Sequence, residues 1–536
     1  MYSDGLWEQW LQNELPNYSL TNNGKKHYIK RGYVHLDNRF WFPDRHDEIK
    51  EIARSGLKVP HPHTGKQQFY SFSPFLKVLT KTPKYRYQQE EGYYDLETKI
   101  RPICFAAHVD GLLLGFYSFA LTKRYETFIQ DNGFDDVVLA YRSDLGKCNI
   151  QFAKEVFDLI RVRGKCSAIA LDIKGYFDHI DHGILLEKWK KVIGGRLPDD
   201  QFKIFEMITQ YSYISQGSLL RKYRGRKKRD DVALSNLMEI IPGSGLPEKF
   251  ARLRKDQLIV SNDKPMKGTD HLSGVPQGSP ISAVLSNIYL IDFDRDLKLK
   301  GDVEGFVYRR YCDDILIICD TNRAFDLMNF VIDKISKEYK LTIQQKKVDL
   351  IDFFENSKGQ IRGFRRPTRT RRKIGEKEKV TILAALAKLT VANESKLYKS
   401  LQYLGFEYNG KDIRIRASSL SRYFWKLNYR LQRTVIMAYS PKAIGRQIFL
   451  KQIYERYTHL GRRNFLTYAY NASKLEYTNA DRETLAGLNS PAIRRQLRQH
   501  LTILHHELAR KNIKWYEHKL TGKKAVTFKA VRAGRA

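Results

Sequence analysis

Two short runs of β-branched and aromatic residues, Phe306 to Tyr311 and Ile315 to Ile318, frame two adjacent carboxylates, Asp313 and Asp314. Apolar runs of this kind predict two strands, and the brief polar break between them predicts a tight hairpin with the acids at its tip. The run SAIAL (167–171) predicts a third, buried strand that ends on Asp172. Elsewhere the period changes. Ile281, Val284, Leu285 and Ile288 recur every three or four residues, which predicts a helix with one apolar face. Ser279 stands where that helix needs an N-cap and Pro280 where a first helical residue belongs. Asp181 is expected to open another helix before ILLEKWKKVI, and FAAHVDGLLLGFYSFAL (105–121) reads as a buried helix. That last run carries His108 and Asp110 and is too short to span a bilayer comfortably. Beyond residue 380 the spacing turns helical, in ILAALAKL, KLYKSLQYL and FWKLNYRLQRTVIMAY.

This patterning divides the chain. Residues 1–95 are mixed, aromatic and polar, with short extended pieces and the loop KVPHPHTGK. Residues 96–365 alternate strands and helices and hold every acidic element named above. From 366 onward a charge-dense stretch leads into a basic, helix-patterned part in which tyrosines interleave with lysines and arginines. A bundle with solvated lysines and an RNA-contacting module both fit that last part.

Charge narrows the partner. The chain has 94 Lys+Arg against 59 Asp+Glu, a formal net charge of +35, spread along the sequence rather than confined to a tail. Such an excess calls for a polyanion, and nucleic acid comes first. A ribosomal or membrane-surface protein would share it, so the charge sets a class of partner and no reaction. The five cysteines, at 104, 148, 166, 312 and 319, form no CxxC and have no histidine at zinc spacing; they read as reduced thiols. The N-terminal residues lack the basic-then-apolar layout of a secretory leader.

Clustered acids in apolar surroundings repel one another, and the surround makes the repulsion costlier. A surface turn would tolerate Asp313 and Asp314 alone. Set beside a strand-end Asp172, they become the oxygen-rich donor set that two Mg2+ ions use to stabilise an in-line phosphoryl displacement. Between these elements, Gly274 and Gly278 allow close backbone approach, and Gln277 offers an amide to a base or sugar edge. An ordinary capped helix would explain that middle element equally well if it stood alone.

Together, LDIKGYFD (171–178), SGVPQGSPISAVLSNIYL (273–290) and YCDD (311–314) resemble, in this order, three motifs of the reverse-transcriptase palm. The resemblance implies an α+β right-hand polymerase with fingers, palm and thumb and a helical C-terminal extension. It divides the chain into an N-terminal extension and start of fingers (1–95), fingers and palm (96–365), and a basic thumb with a helical C-terminal domain (366–536). It assigns the metals to Asp172, Asp313 and Asp314, with the Ile173 carbonyl assisting. TKIRPICFAAHVDGLLLGFYSFAL (98–121) resembles the fingers segment and puts Lys99 and Arg101 near the incoming triphosphate. In LTIQQKKVDLIDF (341–353), Lys347 takes the same task. Gln277, Gly278 and Phe177 fall to the nucleotide site as well. Arg142, in AYRSDLGKCNIQFAKEVFDLI (140–160), is assigned to the template, and IRGFRR (361–366) is a weaker likeness of the primer-grip hairpin. Phe177 would sit under the ribose and exclude a 2′-hydroxyl; a core aromatic beneath the strand is the plainer reading.

The style of these motifs is similar to bacterial group II intron and retron enzymes. No His/Cys cluster of a maturase nuclease tail is present, nor a retron VTG triplet. What remains resembles the "unknown group" of reverse transcriptases linked to antiphage defence. The expectation is therefore an RNA-directed DNA polymerase in the bacterial cytoplasm, using dNTPs and two Mg2+ ions. It would copy a structured non-coding RNA held by the C-terminal part and the 221–229 run, with DNA as product and no membrane contact. A homo-oligomer stays open. So do a template-independent or protein-primed polymerase and a maturase-like RNA-binding cofactor.

Overall fold

The computed structural model describes residues 2–14, 18–20, 26–28, 33–40, 42–88, 93–223, 236–263, 271–366, 398–440, 448–479 and 482–521. ILAALAKL, most of the charge-dense stretch FRRPTRTRRKIGEKEK (364–379) and residues 224–229 of the 221–229 run lie outside them.

At the centre is a five-stranded antiparallel sheet in the order Val307–Tyr311, Asp314–Cys319, Cys166–Asp172, Asp349–Glu355, Ile361–Arg365. Strand side chains alternate between faces, and the sequence uses both. Ile169, Leu171, Ile315 and Ile317 enter one core, beneath the helices His108–Asp131, His182–Ile193, Ser282–Tyr289 and Ile291–Glu304. Ala168, Leu316 and Ile318 enter a second core, shared with helix Asn149–Arg163 and the C-terminal elements. The hairpin, the Asp172 strand and the buried helix at 108–131 thus follow the hydrophobic pattern. Asp181 caps its helix as expected, its carboxylate accepting from the Ile184 N–H at 2.9 Å.

Three elements differ from the pattern. The helix after Gly278 begins at Ser282 rather than Pro280, and its N-cap position is Ile281. A short turn precedes it, with the Ser282 N–H donating to the Ser279 carbonyl, while the Ser279 hydroxyl is buried without a hydrogen-bond partner. KLYKSLQYL is not helical where it is described. Leu401–Tyr403 is a strand that pairs with Phe406–Tyr408 and through it with Ile413–Ile415. Its Leu401 and Tyr403 sit two apart and are both buried, so a strand period hid inside the helical spacing. In the N-terminal part, Asp4–Glu14 and Phe42–Arg54 are helices, and Trp7 and Trp10 are buried against the helix at 108–131.

The predicted C-terminal helix is present as Ala417–Ala438, but the three-stranded sheet and a hairpin, Glu476–Thr478 with Thr484–Ala486, make that part mixed rather than helical. It is also fastened to the palm. Gln151 donates to the Tyr477 hydroxyl and to the Ala486 carbonyl, at 3.2 and 2.6 Å. A hairpin of two long strands, Phe75–Gln88 and Tyr93–Phe105, forms a second sheet with Ser212–Ser215 and Ile259–Ser261. Among the described residues no helix is long and apolar enough to cross a membrane.

Candidate active site

Register brings the acids together. Asp314 pairs with Asp172 across neighbouring strands, so the two side chains leave the sheet at one end and on the same face. The turn between Tyr311 and Asp314 holds Asp313, whose carbonyl accepts from the Ile173 N–H at 3.0 Å. Ile173 forms a bridge with Ile343 through flanking groups, Lys174 N–H to Thr342 O and Gln344 N–H to Asp172 O. That bridge leaves the Ile173 carbonyl unused.

The acids feel one another. Burial, then Asp172, pushes the Asp313 carboxyl up from its usual range. Asp314 has solvent at its tip, yet protein surrounds it on most sides. Desolvation first, then Asp313 and Asp172, pushes it up to about 7. Lys347 stands in a short turn, Gln345–Lys347, and its ammonium lies 2.6 Å from both Asp172 carboxylate oxygens. Among the described residues no group of three or more His, Cys, Asp or Glu side chains is gathered closely enough to hold a metal, and this ammonium takes up Asp172.

Cations come from the strand Tyr93–Phe105. Lys99 and Arg101 sit two residues apart on one strand, opposite Thr82 and Thr80. Partial burial first, then the charges of Arg101 and Lys347, pulls the Lys99 ammonium below its usual range, while Asp172 and Asp313 oppose that pull. Cations gathered in this way beside an acidic cluster could hold a polyphosphate.

The loop at 274–278 joins the strand Tyr93–Phe105 to the turn after Asp172. The Gln277 carbonyl accepts from the Cys104 N–H at 2.8 Å, and its side chain is half-buried. Gly278 has φ +107°, and a Cβ there would lie 2.7 Å from Ile103 Cγ2 and 3.0 Å from the Cys104 carbonyl. The close approach that Gly278 permits within the protein is to the strand Tyr93–Phe105. Phe177 is half-buried against the first core, and its carbonyl accepts from the Val275 N–H.

Arg142 does not face a template. It is buried; its guanidinium clasps Glu126 and donates to the carbonyls of Asp135 and Val138. With its donors spent inside the protein, it ties the loop before helix Asn149–Arg163 to helix His108–Asp131.

Sequence reasoning missed the group that holds the catalytic turn from below. Arg310 and Asp294 are both fully buried and paired at 2.5 and 2.8 Å, and the Tyr308 hydroxyl donates to Asp294 at 2.6 Å. Arg310 also donates to the Cys312 carbonyl and to Asn287 Oδ1, at 3.2 and 3.3 Å. The signal was present: in VYRRY, Arg310 occupies the inward position of an alternating strand, where a charge needs a partner.

Residues 230–408 match the family described as reverse transcriptase (RNA-dependent DNA polymerase). No curated protein matches the sequence. Solved structures similar to the chain include the telomerase of Candida albicans with a TWJ fragment of telomeric RNA, at 12% identity and TM-score 0.32, covering 74% of this chain and 54% of that one. Another is apo telomerase of Candida tropicalis truncated from its C-terminal domain, at 9% identity and TM-score 0.35, covering 76% and 66%. The chain thus spans about half the length of the first of these. The matched segment contains the Gly278 loop and YCDD, and the Asp172 strand is paired in register with the latter. Residues 230–408 thus match a reverse transcriptase domain, and the Asp172 strand upstream of them belongs to the same five-stranded sheet as YCDD.

Proposed function

We propose that this protein synthesises DNA on an RNA template. The observation that carries the reading is the pairing of Asp314 with Asp172, beside Asp313 and beneath Lys99, Arg101 and Lys347. The donor set suits divalent cations in kind, though it is not drawn together around a metal here while Lys347 holds Asp172. It has three hard carboxylates, with the pKa of Asp313 raised by burial and Asp172, and that of Asp314 by burial, Asp313 and Asp172. Asp172, Asp313, Asp314 and the Ile173 carbonyl would hold two Mg2+ ions. When bound, Mg2+ supplies charge stabilisation to the attacking and leaving oxygens. Lys347, which neutralises Asp172 in this structure, becomes free to join Lys99 and Arg101 on the triphosphate. These three cations orient the α-phosphate toward the primer 3′-oxygen and offset charge on the departing pyrophosphate.

Phe177 sets the sugar in this reading. Its ring packs against the first core one residue beyond the buried Tyr176, so it is rigid, and a rigid ring leaves no room for a 2′-hydroxyl. Phe177→Ala is expected to raise ribonucleotide use relative to dNTP use at least about tenfold, as relief of a steric penalty does. Primer extension on an RNA template with each nucleotide type measures the ratio. A variant that unfolds more easily with an unchanged ratio makes Phe177 a core residue only.

The style of the motifs supports a bacterial source and a role in antiphage defence, and five free cysteines suit a reducing cytoplasm. The net charge of +35 supports a dedicated, structured RNA as template. Sequencing of the nucleic acid that copurifies is expected to show one RNA strongly enriched, with DNA complementary to it. A random sample of cellular transcripts overturns the dedicated template, and DNA that copies no RNA favours template-independent synthesis.

A further inference from the structure

A sixth stretch of backbone flanks the palm sheet. Val138 bridges Arg310 in parallel, the Arg310 N–H donates to the Val137 carbonyl, and the Leu139 N–H donates to the Arg310 carbonyl. In this register Ala140 lies beside Cys312, and Asn287, on the Ser282–Tyr289 helix, fixes it by donating to the Ala140 carbonyl at 3.0 Å. The next residue, Tyr141, is therefore placed at the catalytic turn.

Its conformation is unusual. Tyr141 has φ +62°, in the left-handed region that costs a residue with a Cβ, and its neighbour across the gap, Cys312, has φ +58°. Two such residues face each other, and the Tyr141 hydroxyl lies 3.4 Å from Cys312 Sγ. Strain of this sort persists where the surroundings enforce it, and it gathers at functional sites. The backbone twist keeps the ring out of the core: Tyr141 is 49% exposed, whereas Ala140 is buried and Arg142 is buried and fully paired. A folded protein has no packing reason to spend strain on exposing an aromatic ring.

The lateral order of the site says what the ring meets. Tyr141 stands at one flank, followed by the turn with Asp313, then Asp314, then Asp172. Lys99, Arg101 and Lys347 gather on the Asp172 side, so the triphosphate belongs there. The attacking 3′-oxygen must approach from the opposite side, along the flank that Tyr141 occupies. We propose that the Tyr141 ring is a primer-contacting surface: it seats the terminal base pair so that the 3′-oxygen faces Asp313 and Asp314. This inference rests on the polymerase reading of the site.

The left-handed φ supplies a clean test. Glycine adopts φ +62° without strain, so Tyr141→Gly removes the ring without forcing the loop to rearrange. Tyr141→Phe keeps the ring and deletes only the hydroxyl. Steady-state extension of a DNA primer on an RNA template separates affinity from turnover, and fluorescence anisotropy of the same duplex gives its Kd. For Tyr141→Gly we expect an unchanged or higher Tm, KM and Kd for the duplex raised about tenfold, and kcat within about threefold, the pattern of a lost stacking contact. Tyr141→Phe should bind and extend as the wild type does. An unchanged KM and Kd in Tyr141→Gly overturns the proposal. Equal impairment of both variants also overturns it, since the hydroxyl tie to Cys312 would then be the residue's role. If the wild type extends no primer, or extends one equally well without Asp313 and Asp314, the polymerase reading fails, and the Kd comparison still decides whether Tyr141 touches a duplex end.

Discussion

Replacing Asp313 and Asp314 together by alanine is expected to lower nucleotide incorporation at least about 1000-fold while the protein still folds. The two carboxylates are the largest part of the donor set, and losing a metal clamp removes several kcal/mol of transition-state stabilisation, each 1.4 kcal/mol being about tenfold in rate. Stability should move the other way. The Asp314 carboxyl is pushed up to about 7 by desolvation, then by Asp313 and Asp172. A carboxyl whose folded pKa is raised favours the folded state while protonated and loses that advantage as pH climbs from the ordinary carboxylate range to about 7. At pH 8 without divalent cations, the wild type thus carries repelling charges that the double variant lacks. Its Tm should equal or exceed that of the wild type, and the gap should close near pH 4. Activity within tenfold of the wild type refutes the site. A Tm that falls by many degrees at pH 8 shows instead that the pair serves the fold.

The difference between what the sequence showed and what it hid follows from the range of the interactions. The Asp172 strand, the YCDD hairpin and the Asp181 cap were legible because each is a local pattern: an apolar run, a polar break, an acid before a helix. Lys347, Lys99 and Arg101 came from the resemblance; Lys347 lies on Asp172, and Lys99 feels both Asp172 and its strand neighbour Arg101. Arg142 misled, because a basic residue near a catalytic motif reads as a ligand contact, and only the fold reveals Glu126, sixteen positions away on another element, as its partner. The packing partner of Gly278 was hidden for a related reason: Ile103 and Cys104, which a Cβ there would meet, lie far upstream in the chain. The strand Leu401–Tyr403 carries a helical signal because its two buried positions also satisfy a looser three- and four-residue spacing when flanking apolar residues are counted. Tyr141 left no signal in its side-chain type, since its importance lies in a backbone angle.

Asp294→Ala is expected to cost about 3–5 kcal/mol of stability, the usual penalty for stranding one partner of a buried ion pair. Neither Asp294 nor Arg310 has exposed side-chain surface, and burial alone would push the Asp294 carboxyl up; the guanidinium at 2.5 and 2.8 Å opposes that and holds the charge. Without the carboxylate, Arg310 keeps a full charge in the core with only Asn287 Oδ1 and the Cys312 carbonyl for company, and Tyr308 loses the acceptor for its hydroxyl. Thermal unfolding against the wild type measures the loss, and a change below about 1 kcal/mol would show that the core relaxes around the charge. A second variant separates stability from positioning. Replacing both partners by apolar residues, Asp294→Leu with Arg310→Met, removes the stranded charge and should restore much of the stability. It cannot restore the bond from Arg310 to the Cys312 carbonyl, which is what props the turn carrying Asp313. Stability should therefore recover while nucleotide incorporation stays reduced, and recovery of both would mean that the pair acts on the fold alone.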